Sequence, residues 1–102
     1  MIRTILTFDV PLDRIDSILE AYEREQILQR AMAEAGGVAT DISVATDGSG
    51  RVLVTALWPD EAAYQRWVDN PFRAESNGRL GELMNGVVGI GQTFRVMSGA
   101  EG

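Results

Sequence analysis

The segment RVLVTALW, Arg51 to Trp58, is apolar at both parities. Successive side chains of an extended chain point to opposite faces. Val52, Val54 and Ala56 therefore fall on one side, and Leu53 and Leu57 on the other. A strand of this kind has to be covered above and below. The rest of the chain must supply one cover with its own helices and find the other elsewhere.

Thr4 to Val10 alternates, with Leu6, Phe8 and Val10 opposite Ile5, Thr7 and Asp9; it reads as a strand that Pro11 ends. Asp13 to about Ala35 is rich in Ala, Leu, Glu, Gln and Arg and reads as one long helix, stopped by Gly36-Gly37. Val38 to Ala45 is a second strand, with Ile42 and Val44 on one face, and Asp47-Gly48-Ser49-Gly50 turns it into the third. Pro59-Asp60 opens a helix with Asp60 as its N-cap and Tyr64, Trp67 and Val68 as its apolar stripe. Asn70-Pro71 breaks that helix and starts a further short one. Leu80, Leu83, Met84, Val87 and Val88 keep helical spacing up to Gly89. Gln92 to Met97 is the last strand, and Ser98 to Gly102 a frayed tail.

The order β-α-β-β-α-β predicts one α+β domain over residues 1–102: a ferredoxin-like antiparallel sheet with helices on one face. Ile5 and Met97 join Leu53 and Leu57 on the second face. The simplest cover there is the sheet of a second copy, a homodimer. The alternative is a half-exposed sheet carrying scattered apolar residues.

Charge and composition remove whole classes of function. Nine basic residues against fifteen acidic ones leave a net charge of −6, which repels phosphate backbones and anionic membrane surfaces. Nucleic acid and membrane are thus not expected partners. There is no cysteine and no histidine, so thiolate metal sites, cysteine nucleophiles and the usual general base are unavailable. Catalysis is left to carboxylates, amides, Tyr, Trp, Arg, Ser or Thr. Met1 to Val10 lacks the layout of a signal peptide, and no apolar run approaches membrane-spanning length, so a cytoplasmic location is expected. Gly86, Gly89 and Gly91 follow a helix and precede a strand, the reverse of a dinucleotide loop. The Asp47 turn lacks the oxygen ligands of a calcium loop. No metal is expected.

The long helix has a gap in its apolar stripe. Ile15, Ile18, Leu19 and Tyr22 face one way, and Leu28, Ala31, Met32 and Ala35 another. A slowly turning stripe through Tyr22, Glu25 and Gln29 would put these polar groups against the sheet, lining a pocket. The other reading is that the helix kinks there, although no proline is present. A buried Glu25 would have a raised pKa and would be the best base in the chain.

The stretch WPDEAAYQRWVDNPFR, Trp58 to Arg73, together with the element order and the closing Phe-Arg-Val, resembles the antibiotic biosynthesis monooxygenase family of dimeric α+β barrels. The resemblance covers nearly the whole chain in layout. It implies cofactor-free oxygenation of an aromatic or polyketide-like small molecule, of the anthrone- or quinol-to-quinone type. Cyclases, isomerases and binding proteins of the same superfamily are the alternative, and a purely structural dimer a third. The haem-degrading branch has an axial His ten residues after its helix Trp and an Asn on its first strand. Counting from Trp67, the first position here is Asn77 and the second falls on Leu6, so the departure argues against haem. The quinone-forming branch places Trp and Asn near the end of the second main helix. Trp67 and Asn70 match in kind, and Arg73 is the third member; together they would hold a substrate anion. Glu25 is the associated base, and Phe8, Tyr22, Gln29, Tyr64 and Asn77 are the expected contacts to substrate. Each has a plainer reading. Trp67 suits a core stripe, Asn70 a helix cap before Pro71, and Arg73 a solvated surface charge.

Overall fold

The computed structural model describes residues 1–83 and 90–100, with residues 82, 83 and 90 described by their backbone alone. Strand β1 (Ile2–Asp9) leads through a 3₁₀ turn at Leu12–Arg14 into helix α1 (Ile15–Arg24) and helix α2 (Ile27–Ala35). Strands β2 (Ala39–Val44) and β3 (Arg51–Trp58) form the central hairpin. Helices α3 (Glu61–Val68) and α4 (Pro71–Leu83) follow, and β4 (Ile90–Arg95) closes the sheet. All pairings are antiparallel in the order β2-β3-β1-β4, so this is the expected α+β, ferredoxin-like sheet.

Register decides which residues reach the helices. Ile2 pairs with Trp58, Thr4 with Ala56, Leu6 with Val54 and Phe8 with Val52. Ile2, Phe8, Val52, Ala56 and Trp58 from this face are buried with Ile18, Ala21, Tyr22, Ile27, Ala31, Ala35, Ala63, Trp67 and Leu80 from the helices. The opposite face carries Ile5, Leu53 and Leu57, and Phe94 opposite Arg3. Met97 does not join it: β4 ends at Arg95, two residues short of the expected end, and Met97 lies beyond it in solvent. Phe94, 44 % exposed, takes that place.

The expected single helix from Asp13 to Ala35 is two helices. Glu25 caps α1, and Gln26 adopts the left-handed conformation (φ 52°, ψ 42°) at the head of α2. That conformation costs a non-glycine residue roughly 1–2 kcal/mol. The break is offset because both apolar stripes now face the sheet: Ile18, Ala21 and Tyr22 before it, Ile27, Ala31 and Ala35 after it. Gly36 ends α2 in the left-handed C-cap that its sequence suggests. Asp60 caps α3 by accepting the Ala63 N–H at 2.8 Å. The short helix expected after Pro71 is one of thirteen residues. The expected helical positions Met84, Val87 and Val88, and the stop at Gly89, lie outside the described residues.

Candidate functional site

A cavity of about 480 Å³ lies between the helix-facing side of the sheet and the four helices. Its sheet wall includes Thr4, Leu6, Phe8, Val54, Ala56 and Trp58, and its helical wall includes Tyr22, Ile27, Ala31, Tyr64, Trp67, Arg73, Ser76, Asn77 and Leu80. Helical spacing explains the second set. Ala63 and Trp67, four apart on α3, are both buried, and Tyr64 lies one turn before Trp67. On α4, Arg73, Ser76, Asn77 and Leu80 stand at i, i+3, i+4 and i+7, which is one face. Ser76 is fully buried and donates its hydroxyl to the Arg73 carbonyl at 3.2 Å.

The aromatic walls are set by packing. Trp58 lies with its ring centroid 5.6 Å from that of Tyr64, tilted by 53°, and its indole N–H donates to Thr4 Oγ1 at 3.0 Å. Trp67 leans on Phe72 at 6.4 Å, and the Arg30 guanidinium covers the other partner, 3.5 Å above the Phe72 ring centre. Tyr22 is buried, and loss of hydration pushes its phenol up to about 12, against the opposing effect of the Arg73 charge. At neutral pH Tyr22 is therefore a hydrogen-bond donor and not a base. Among the described residues Arg73 forms no ion pair.

Six of the nine residues expected at the site line this cavity: Phe8, Tyr22, Tyr64, Trp67, Arg73 and Asn77. Three do not. The Asn70 side chain caps α4, its Oδ1 accepting the Phe72 N–H at 2.9 Å, while its Nδ2 donates to Glu34 Oε1 at 3.3 Å. Gln29 is exposed, beside a shallower groove with Leu19, Tyr22 and Ile42. Glu25 turns instead to α4, where Arg79 Nε donates to its Oε1 at 2.7 Å and the Arg79 terminal nitrogen reaches the same oxygen. That hydrogen bond holds the Glu25 carboxyl below the usual carboxylate range, opposite to the rise expected for a buried base. For Gln29 the physical reason is the helix break at Gln26, which separates it from Tyr22; for Glu25 it is the Arg79 guanidinium.

Sequence reasoning missed Thr4, Trp58 and Ser76 as lining residues. Parity with Val52, Val54 and Ala56 places Trp58 on the inner face, and the i+3 step from Arg73 gives Ser76. Both signals were in the sequence.

The sequence model of the antibiotic biosynthesis monooxygenase family matches residues 1–74. Solved structures share the fold at low identity. A candidate antibiotic biosynthesis monooxygenase from Deinococcus radiodurans is 16% identical, with a TM-score of 0.84 over 99% of this chain and 97% of that one. Rv0793 from Mycobacterium tuberculosis is 15% identical, with a TM-score of 0.80 over 98% of each chain. A further candidate from Caulobacter crescentus is 13% identical, with a TM-score of 0.81 over 95% of this chain and 90% of that one. No curated protein matches the chain.

Proposed function

The chain belongs to the antibiotic biosynthesis monooxygenase family, and on that footing we propose that its cavity oxygenates an aromatic or polyketide-like small molecule without a cofactor. The observation that carries this reading is the cavity itself: a space of about 480 Å³ with aromatic walls, lined by Trp67, Tyr22 and Arg73, each of which carries a hydrogen-bond donor. In the anthrone type of reaction the substrate is the reductant. The activated methylene gives its proton to solvent, and the resulting anion, bound in the cavity, passes electrons to dioxygen. A C–O bond forms, the O–O bond breaks, and the CH₂ becomes a carbonyl. One oxygen atom stays in the product and the other leaves as water with the two hydrogens. Indole N–H, phenol O–H and guanidinium donors can hold the anion, and they act more strongly in a dry apolar site than in water. Asn70 is not among them, because its amide is committed to Phe72 and Glu34.

The reading includes a homodimer. Ile5, Leu53, Leu57 and Phe94 on the helix-free face of the sheet are the surface that a second copy would cover.

Oxygen uptake with a panel of anthrones and quinols tests the activity. One O₂ consumed per anthrone, with one labelled atom from ¹⁸O₂ in the quinone, is the expected result. Ligand binding with no oxygen uptake by any member would refute it in favour of a cyclase, an isomerase or a binding protein on the same fold.

A further inference from the structure

We propose that Arg73 makes this cavity selective for molecules that arrive already ionised: acidic phenols, naphthols and the enols of 1,3-dicarbonyl compounds. The inference rests on the small-molecule reading of the cavity and narrows its substrate class. It concerns binding, so it can be tested without turnover.

Charge is divided unevenly between the surface and the cavity. The chain has fifteen acidic residues and a net charge of −6, yet among the described residues none of the acids lines the cavity. Among the described residues its one charged wall group is Arg73. The carboxylates around α4 are held by other arginines. Glu25, at the end of α1, is taken by Arg79. Glu34, on α2, is taken by Arg30 and also accepts from the Asn70 amide. Glu75, on α4 itself, lies within the electrostatic reach of both Arg30 and Arg79. Arg73 is left facing the cavity, close enough to Tyr22 for its charge to act on that phenol. A guanidinium in a partly enclosed cavity attracts an anion more strongly than it would in water.

Among the described lining groups, nothing takes up a proton near neutral pH. Tyr22 is held protonated by its burial. The Ser76 hydroxyl is bonded to the Arg73 carbonyl. The indole of Trp67 and the amide of Asn77 have no basic lone pair at neutral pH. A wall with donors and a cation but no base stabilises an anion without making one. Selection then falls on the acidity of the ligand.

The test uses 4-nitro-1-naphthol, which is ionised at neutral pH and gains its proton in mild acid, beside its methyl ether and unsubstituted 1-naphthol, which are neutral at that pH. Affinities are measured on the full chain by titration. The anion should bind roughly ten- to a hundredfold more tightly than either neutral compound, the range for a charge-assisted hydrogen bond. Its affinity should fall as the pH drops through the naphthol's own pKa. In Arg73→Gln the preference should vanish while the ether binds as before, which also shows that the variant is folded. Glu82, at the end of α4, has a side chain outside the described residues, so Glu82→Gln is the second variant and should leave the pH profile unchanged. Equal binding of anion and ether, a preference that survives Arg73→Gln, or a profile that moves in Glu82→Gln would each overturn the proposal. Selective binding without oxygen uptake would count against the oxygenase alone. Oxygen uptake with no anion preference would count against this proposal alone.

Discussion

Replacing Asn70 separates a cap from a catalytic donor. Its Oδ1 accepts the Phe72 N–H at 2.9 Å, at the position where the first backbone donors of α4 have no partner within the helix. Losing that bond in Asn70→Ala should cost about 1 kcal/mol. For a domain of this size that is a fall of roughly 4–8 °C in Tm. The second bond, from Nδ2 to Glu34 at 3.3 Å, is exposed and adds little. The Arg73 N–H bonds to the Asn70 carbonyl, which alanine keeps, so the cavity face of α4 stays in register. Asn70→Ser keeps a cap acceptor without setting a second carboxylate beside Glu34, and should recover most of the lost stability. Thermal melts of the three proteins, set beside oxygen uptake or ligand affinity, read both quantities. The expected pattern is a lowered Tm for alanine only, with activity close to the parent in both. A preorganised anion donor would behave differently, since its loss costs about 10²–10³ in rate. Unchanged melting with collapsed turnover in both variants would refute the cap and return Asn70 to the active site.

Leu53→Asp puts a charge on the helix-free face of the sheet and should turn the proposed dimer into a monomer by sedimentation; a parent chain that is monomeric at micromolar concentration would refute the dimer. Thr4→Val removes the acceptor of the Trp58 indole N–H and should cost about 1 kcal/mol in urea unfolding, whereas no change in midpoint would mean that the bond contributes nothing. Arg79 keeps the folded pKa of Glu25 below its unfolded value, so the stability from that pair is complete above the ordinary glutamate pKa and is lost as pH falls through the folded one. The Tm gap between the parent and Glu25→Gln should therefore close in acid, and a gap constant from neutral to acid pH would refute the assignment.

The fold was legible because period alone carries it. The two-residue alternation of Thr4–Val10 and the two-sided apolar run of Arg51–Trp58 settle the strands, and Asp60 and Gly36 mark helix ends with their own chemistry. The site was legible where it sits on one regular element, as Tyr64, Trp67 and Arg73 do. It was not legible where a side chain has two plausible partners. Nothing in the local sequence says that Glu25 would meet Arg79, 54 residues away, or that the Asn70 amide would be used up by Phe72 and Glu34. Such choices are made by tertiary contacts, which pattern does not encode.

The break at Gln26 shows how one backbone defect can set the chemistry of the cavity. In an unbroken helix, residues seven apart differ by only roughly 20° around the axis, so Tyr22 and Gln29 would share a face. Here Tyr22 is buried and Gln29 exposed, because the left-handed Gln26 turns α2 relative to α1. The same defect ends α1 at Glu25 and leaves that carboxylate at the junction, where Arg79 meets it. Arg79 lies six residues after Arg73 on α4, about 120° away for a helix at 100° per residue. With Arg79 drawn to the α1 junction, Arg73 faces the cavity. An unbroken helix would have turned Gln29 toward the sheet with Tyr22. Arg79, by binding the Glu25 carboxylate, keeps it from Arg73.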